Sequence, residues 1–297
     1  MPSTITTLPT PKYYNLKTTC HIHGWKNLAP FSWHATTQTL HFALMALDEA
    51  VDVSVKQVKN ELVVEVTSRL KLKAGQKEFI HQAVTRALDL ATETTGLYKI
   101  SQSINPEYAF LVRRGAGRLL RAPSLWEDAA KTLFTTNCSW GLTKIMCNAA
   151  CSPVFSQSTQ QGAFPFPSAE KVARAGLVKL KEKMRVGYRA PYIKKLAQVL
   201  SKDAGAVNFD ALTEHELREY FSRIQGFGPY ATNHMLILCG FYNQVPVDSV
   251  VRAYIQAHYA TDDYADFIAS HYGPWGEYQW WGMKLEQIAL RDNWLGD

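Results

Sequence analysis

The chain has 297 residues, longer than one ordinary core, so it reads as two or three compact units. With 46% hydrophobic and 20% charged residues it has the composition of a soluble globular protein, and its net charge of +6 suits a polyanionic partner without requiring one. No apolar run reaches membrane-spanning length, and Met1-Pro2-Ser3-Thr4 offers neither a basic nor a hydrophobic leader. This excludes an integral membrane span and gives the expectation of a cytoplasmic, or nucleoid- or nucleus-associated, protein.

In the first hundred residues, the stretches 40–44, 51–55 and 61–66 alternate apolar and polar side chains between short polar breaks, the pattern of a small antiparallel sheet. A helix follows, with Phe79, Val84 and Leu88 inward. Ahead of the sheet, the aromatics of Gly24-Trp25-Lys26 and Phe31-Ser32-Trp33 either line a pocket or fill a core. His21 and His23 alternate as a strand would place them, but no second ligand pair with zinc spacing follows, so no metal site is expected. Cys20, Cys138, Cys147, Cys151 and Cys239 are odd in number and scattered, which points to reduced thiols.

From Ile104 onward the chain reads as helical. Arg113, Arg114, Arg118 and Arg121 form a basic cluster, either a solvated face or a phosphate contact. Ser124 starts a helix that ends near Thr135-Thr136-Asn137-Cys138-Ser139-Trp140, where Asn137 suits a turn. Residues 168–180 read as one further helix. Gly187-Tyr188-Arg189-Ala190-Pro191 then joins two helices, and Arg185, Arg189, Lys194 and Lys195 make a second basic region.

Thr213-Glu214-His215-Glu216 has the spacing of a capping box, opening a helix with Leu217, Phe221 and Ile224 on one face. Gly226 and Gly228 break it, since glycine enters positive φ cheaply and leaves bare backbone. Pro229 then suits the first position of a new helix. The free N–H groups at that helix start are a seat for a phosphate oxygen. After Val245-Pro246-Val247, Asp248 stands at the N-cap of a third helix, where the geometry that makes it a good cap also stabilises a carboxylate.

The hairpin Gly226-Phe227-Gly228-Pro229-Tyr230-Ala231, the Val-Pro-Val-Asp248 segment and their separation resemble the helix-hairpin-helix Gly/Pro…Asp (HhH-GPD) superfamily of DNA glycosylases. Among its branches the chain is most similar to the 3-methyladenine and 8-oxoguanine enzymes that lack an iron–sulfur cluster, because no cysteine follows Cys239. The resemblance implies an α+β fold: a small antiparallel β-rich domain over residues 1–97, then a mainly helical domain over 98–297 with the active-site cleft between two helical subdomains.

It also implies roles. Asp248 is the catalytic carboxylate, stabilising a cationic sugar and orienting water. Tyr230, Trp140 and Trp281 line the base pocket. Asn137 enters the gap left by an everted base, and Gly226, Gly228, Ala231 and Arg189 contact DNA. The lysine that forms a Schiff base in the bifunctional branch is replaced by Tyr230, and no lysine occurs from residue 203 to 283. The expectation is a monomeric, monofunctional DNA N-glycosylase acting on damaged, alkylated bases in double-stranded DNA. Excision of an oxidised purine and non-catalytic damage binding are the alternatives. A monovalent cation held by hairpin carbonyls is a further implication.

Overall fold

The computed structural model describes residues 2–290. Period-two alternation produces an antiparallel sheet of β1 (Ser3–Pro9), β2 (Phe31–His34), β3 (Thr39–Ala46), β4 (Glu49–Val58) and β5 (Glu61–Thr67), in the order β1-β5-β4-β3-β2. Register places Val53 opposite both Phe42 and Val66, and Val55 opposite Leu40 and Val64, so one face is continuously apolar. Against it packs the Ala74–Ala87 helix, which buries Ile80, Ala83 and Val84 together with the following Leu88. The central strands match the expected runs. The edge strands β1 and β2 carry weaker patterns, β1 being mostly exposed and β2 only four residues long.

The remaining described residues are mainly helical and bury two apolar clusters. The first joins the inner face of the sheet to the helices between residues 120 and 238, through Leu133, Phe134, Ile193, Phe221 and Met235. The second gathers Leu97, Leu111, Tyr242, Ile255, Tyr272 and Trp281 from the Thr95–Ile104 helix onward and from the last third of the chain. The hairpin helix Pro229–Leu238 belongs to both, since Met235 lies in one and Ile237 in the other.

Several expectations change once tertiary partners appear. The segment of His21 and His23 is not a strand: Asn15 accepts from the Thr18 N–H and caps a helix, Leu16–Ile22, that ends before His23. The helix expected over 168–180 is two, Ala169–Arg174 and Leu177–Lys183, broken where Ala175 and Gly176 adopt extended ψ. The basic cluster is only half a surface. Arg113 and Arg114 are exposed, whereas Arg118 is 1% exposed and donates to the Thr92 carbonyl, and Arg121 pairs with Asp89 at 3.1 Å. Among the described residues no helix is long and apolar enough to cross a membrane, and no three His, Cys, Asp or Glu side chains converge as metal ligands.

Candidate active site

Thr213 and Glu216 exchange both bonds of the capping box and start the Glu214–Ser222 helix. Its chain is turned by Gly226 at φ 100°, where a Cβ would meet Tyr192 at 3.1 Å and Leu133 at 3.2 Å. Gly228 differs: its φ of −78° suits any residue and a Cβ there would meet open space. Its bareness matters only to something arriving from outside. Pro229 follows at the first helical position, and no side chain caps the N-terminus of the Pro229–Leu238 helix.

The buried Val245-Pro246 segment leads to Asp248. Its Oδ1 accepts from Val250 N–H at 2.9 Å and Val251 N–H at 2.8 Å, capping the Ser249–Tyr259 helix. The other carboxylate oxygen makes no hydrogen bond among the described residues. The helix that Asp248 caps is anchored at the far side through Tyr254, whose hydroxyl, with that of Tyr272 and the His271 ring, converges on the carboxylate of Glu286.

Asp248 opens onto a cleft of about 850 Å³. The opposite walls come from Tyr230 on the hairpin helix, the loop of Thr135 to Trp140, and Tyr188 and Tyr192. Its floor comes from His23-Gly24-Trp25 near the start of the chain together with His234 of the hairpin helix. The cleft therefore lies where the element capped by Asp248, part of the second apolar cluster, meets elements of the first.

Tyr230 is half-buried. Burial pushes its phenol above the ordinary value, a hydrogen bond with Thr135 opposes this, and the nearby Asp248 carboxylate adds to the rise. Beside it, Trp25 Nε1 donates to Asp128 Oδ1 at 2.7 Å, and Asp128 is held in turn by the Ala122 N–H and by Arg86 at 2.7 Å. This clamp fixes the indole against His23, ring centroids 4.1 Å apart, and near His234 at 5.5 Å. His234 stacks on Tyr230 at 5.9 Å, so four rings line one side of the cleft.

The expected site residues divide. Asp248, Tyr230, Trp140, Asn137, Gly226, Gly228 and Ala231 all line the cleft. Trp140 is 40% exposed, and its ring packs on Gly24, where a Cβ would approach within 2.7 Å. Asn137 sits at φ 48°, a left-handed position that asparagine tolerates, with its amide exposed and unbonded among the described residues.

Trp281 is corrected. It is wholly buried in the second apolar cluster against Tyr242 and Trp280, because the phase of the Gln279–Ala289 helix turns it away from the cleft. Arg189 is corrected as well. It is 3% exposed, stacks on Tyr188, and donates to the backbone carbonyls of Thr136 and Asn137, leaving no guanidinium face for a phosphate. His23 and His234 were not foreseen. His234 stands one helical turn after Tyr230 and so shares its face, a spacing the sequence displays; nothing local marks His23.

No protein-family model matches the chain, and no curated protein sequence does. Solved structures do. A 3-methyladenine DNA-glycosylase from Archaeoglobus fulgidus gives a TM-score of 0.71 at 17% identity, covering 95% of this chain and 98% of that one. The 8-oxoguanine glycosylase/lyase of Clostridium acetobutylicum in its apo-form gives 0.69 at 17% identity, covering 95% and 94%. The same enzyme in complex with double-stranded DNA containing cytosine opposite 8-oxoG gives 0.67 at 16% identity, covering 96% and 98%. The chain has the α+β fold of these DNA glycosylases, and the resemblance drawn from the hairpin and Asp248 is borne out at the level of fold.

Proposed function

We propose that the protein is a monofunctional DNA N-glycosylase that everts a damaged, alkylated base from duplex DNA and removes it by hydrolysis. One observation carries this reading: Asp248 and Tyr230 face a single cleft whose described lining contains no lysine. As the glycosidic bond breaks, the base departs with the electron pair and the sugar acquires cationic character. Asp248 stabilises that charge and takes a proton from the water whose oxygen bonds to C1′. An N-alkylated purine already carries positive charge, so it leaves as a neutral base without a separate acid. Against the Tyr230 face such a cation gains about 0.5–2 kcal/mol.

The uncapped hairpin N-terminus supplies N–H groups for a DNA phosphate, and Asn137 occupies the gap beside the everted nucleotide. A monovalent cation on hairpin carbonyls would add a counter-charge for that phosphate; Phe227 N–H already engages the Ile224 carbonyl at 3.0 Å, so the neighbouring turn carbonyls are the ones that would hold it. An oxidised purine is the second reading, favoured by the 8-oxoguanine glycosylase/lyase among the similar structures.

The test is free-base release from duplexes bearing alkylated and oxidised purines, with borohydride trapping run in parallel. Release that Asp248→Asn abolishes, with no trapped adduct, is the expected result. A trapped covalent adduct would overturn the hydrolytic assignment. Binding of lesion-bearing duplex with no release from any lesion would favour a damage-binding protein.

A further inference from the structure

The floor of the cleft holds two imidazoles for which the mechanism above has no use. His23 Nε2 and His234 Nε2 lie 3.3 Å apart, although 211 positions separate them in the chain. Both rings are only partly covered, and both line the cleft. The contact is long for a hydrogen bond, so the two nitrogens hold each other only weakly.

Burial keeps both rings neutral at physiological pH. It lowers His234 to about 4, against opposing pulls from Asp128 and Asp248, with Lys284 adding to the fall. His23 is lowered well below its ordinary value by burial, then by His234, Lys284 and Lys131, while the Leu120 backbone opposes. Two neutral imidazoles meeting through Nε2 atoms must carry opposite tautomers at that contact, one an N–H and the other a lone pair. The pair is therefore an adjacent donor and acceptor, with rings fixed by Trp25 on one side and Tyr230 on the other.

We propose that the His23–His234 pair is the specificity-determining floor of the cleft, opening to meet the N1/C6 edge of an everted purine with one donor and one acceptor. This inference rests on the glycosylase reading and narrows its substrate. Guanine-type bases present a carbonyl oxygen next to an N–H, and adenine-type bases an amine next to a lone pair; each complements the imidazole pair in one of its two tautomeric arrangements. The class selected is a purine damaged away from that edge, at N3, N7 or C8. A purine whose N1/C6 edge is alkylated or closed by a ring has lost its N1 partner and leaves one imidazole nitrogen unmatched, and a buried polar group left unpaired discriminates strongly.

The experiment measures affinity and single-turnover release separately. Duplexes carry 7-methylguanine or 8-oxoguanine, with the edge intact, or 1,N6-ethenoadenine or 1-methyladenine, with the edge blocked. Affinity is read on 2′-fluoro versions, whose electron-poor sugar resists cleavage. Wild type is expected to favour edge-intact lesions. His234→Phe and His23→Leu should lower affinity for them by at least about tenfold while changing edge-blocked lesions by less than about threefold. His234→Gln, which keeps an N–H donor, should recover part of the loss.

Thermal melting of each variant separates folding from recognition. Equal losses on all four lesions, or none on any, would overturn the proposal. Selective binding that persists when no form releases a base would retain the reader and reject the glycosylase.

Discussion

The Arg189 guanidinium donates to the backbone carbonyl of Asn137 at 3.4 Å and more closely to that of Thr136. An arginine that charge alone would assign to phosphate instead shapes the turn that presents Asn137. Arg189→Ala should loosen that turn and slow base release from duplex DNA about tenfold or more, as small misplacements of positioning groups do. Arg189→Lys should not rescue it, because an ammonium lacks the planar guanidinium that packs over the Tyr188 ring at 4.5 Å while it donates to the turn. Single-turnover release, compared on duplex and single-stranded substrate, checks this; a loss confined to duplex is expected.

Asp248→Asn should separate folding from chemistry. Asparagine caps a helix as well as aspartate, so melting should stay within about 1 kcal/mol of wild type, while release falls at least about 100-fold. Asp248→Ala should lose both, the missing cap costing about 1 kcal/mol. Calorimetry beside the release assay distinguishes the two variants.

The hairpin glycines should fail in different ways. Gly226→Ala forces a side chain into φ 100° against Tyr192 and Leu133 and should destabilise by roughly 1–3 kcal/mol. Gly228→Ala meets nothing inside the protein and should leave stability unchanged within about 0.5 kcal/mol, yet weaken DNA binding where backbone must approach phosphate. Denaturant melts and binding isotherms on the same two variants test the contrast.

Acid should destabilise the protein in two stages. His23 and His234 are held neutral by burial, so unfolded chain binds more protons than folded as the pH drops from about 6.5 toward about 4, and stability falls across that window. Glu286 adds a lower stage. Burial works against its charge, but the Tyr254, Tyr259, His271 and Tyr272 side chains overcome this and hold it below the ordinary value. Its contribution is fully present above the ordinary glutamate value and is lost as the pH falls below that value and through the lower one it holds in the folded protein. Glu286→Gln should lower stability at pH 7 by roughly 2–4 kcal/mol and flatten the lower stage; melting from pH 7 to 3.5 measures both.

What was legible in the chain was what local chemistry determines. Thr213 and Glu216 cap a helix wherever they sit, Gly226 needs its positive φ within the turn itself, and Asp248 precedes a helical run. The central strands announced themselves by alternation over five or more residues. The misread residues depend on partners far away. Arg118 and Arg189 look like surface because charge normally is, and they are buried only because carbonyls from Thr92, Thr136 and Asn137 receive them. Trp281 was turned inward by a helix phase that a run of adjacent aromatics does not reveal. No periodicity relates His23 to His234; the fold alone does.

The cleft is also assembled out of order in time. Trp25 leaves the ribosome 103 positions ahead of the carboxylate that clamps its indole, about 5–20 s at ordinary translation rates. His234 and Asp248 arrive later still. Through that interval a nascent chain carries the Trp25 indole without its clamp, so the cleft is complete only once Asp248 has been made.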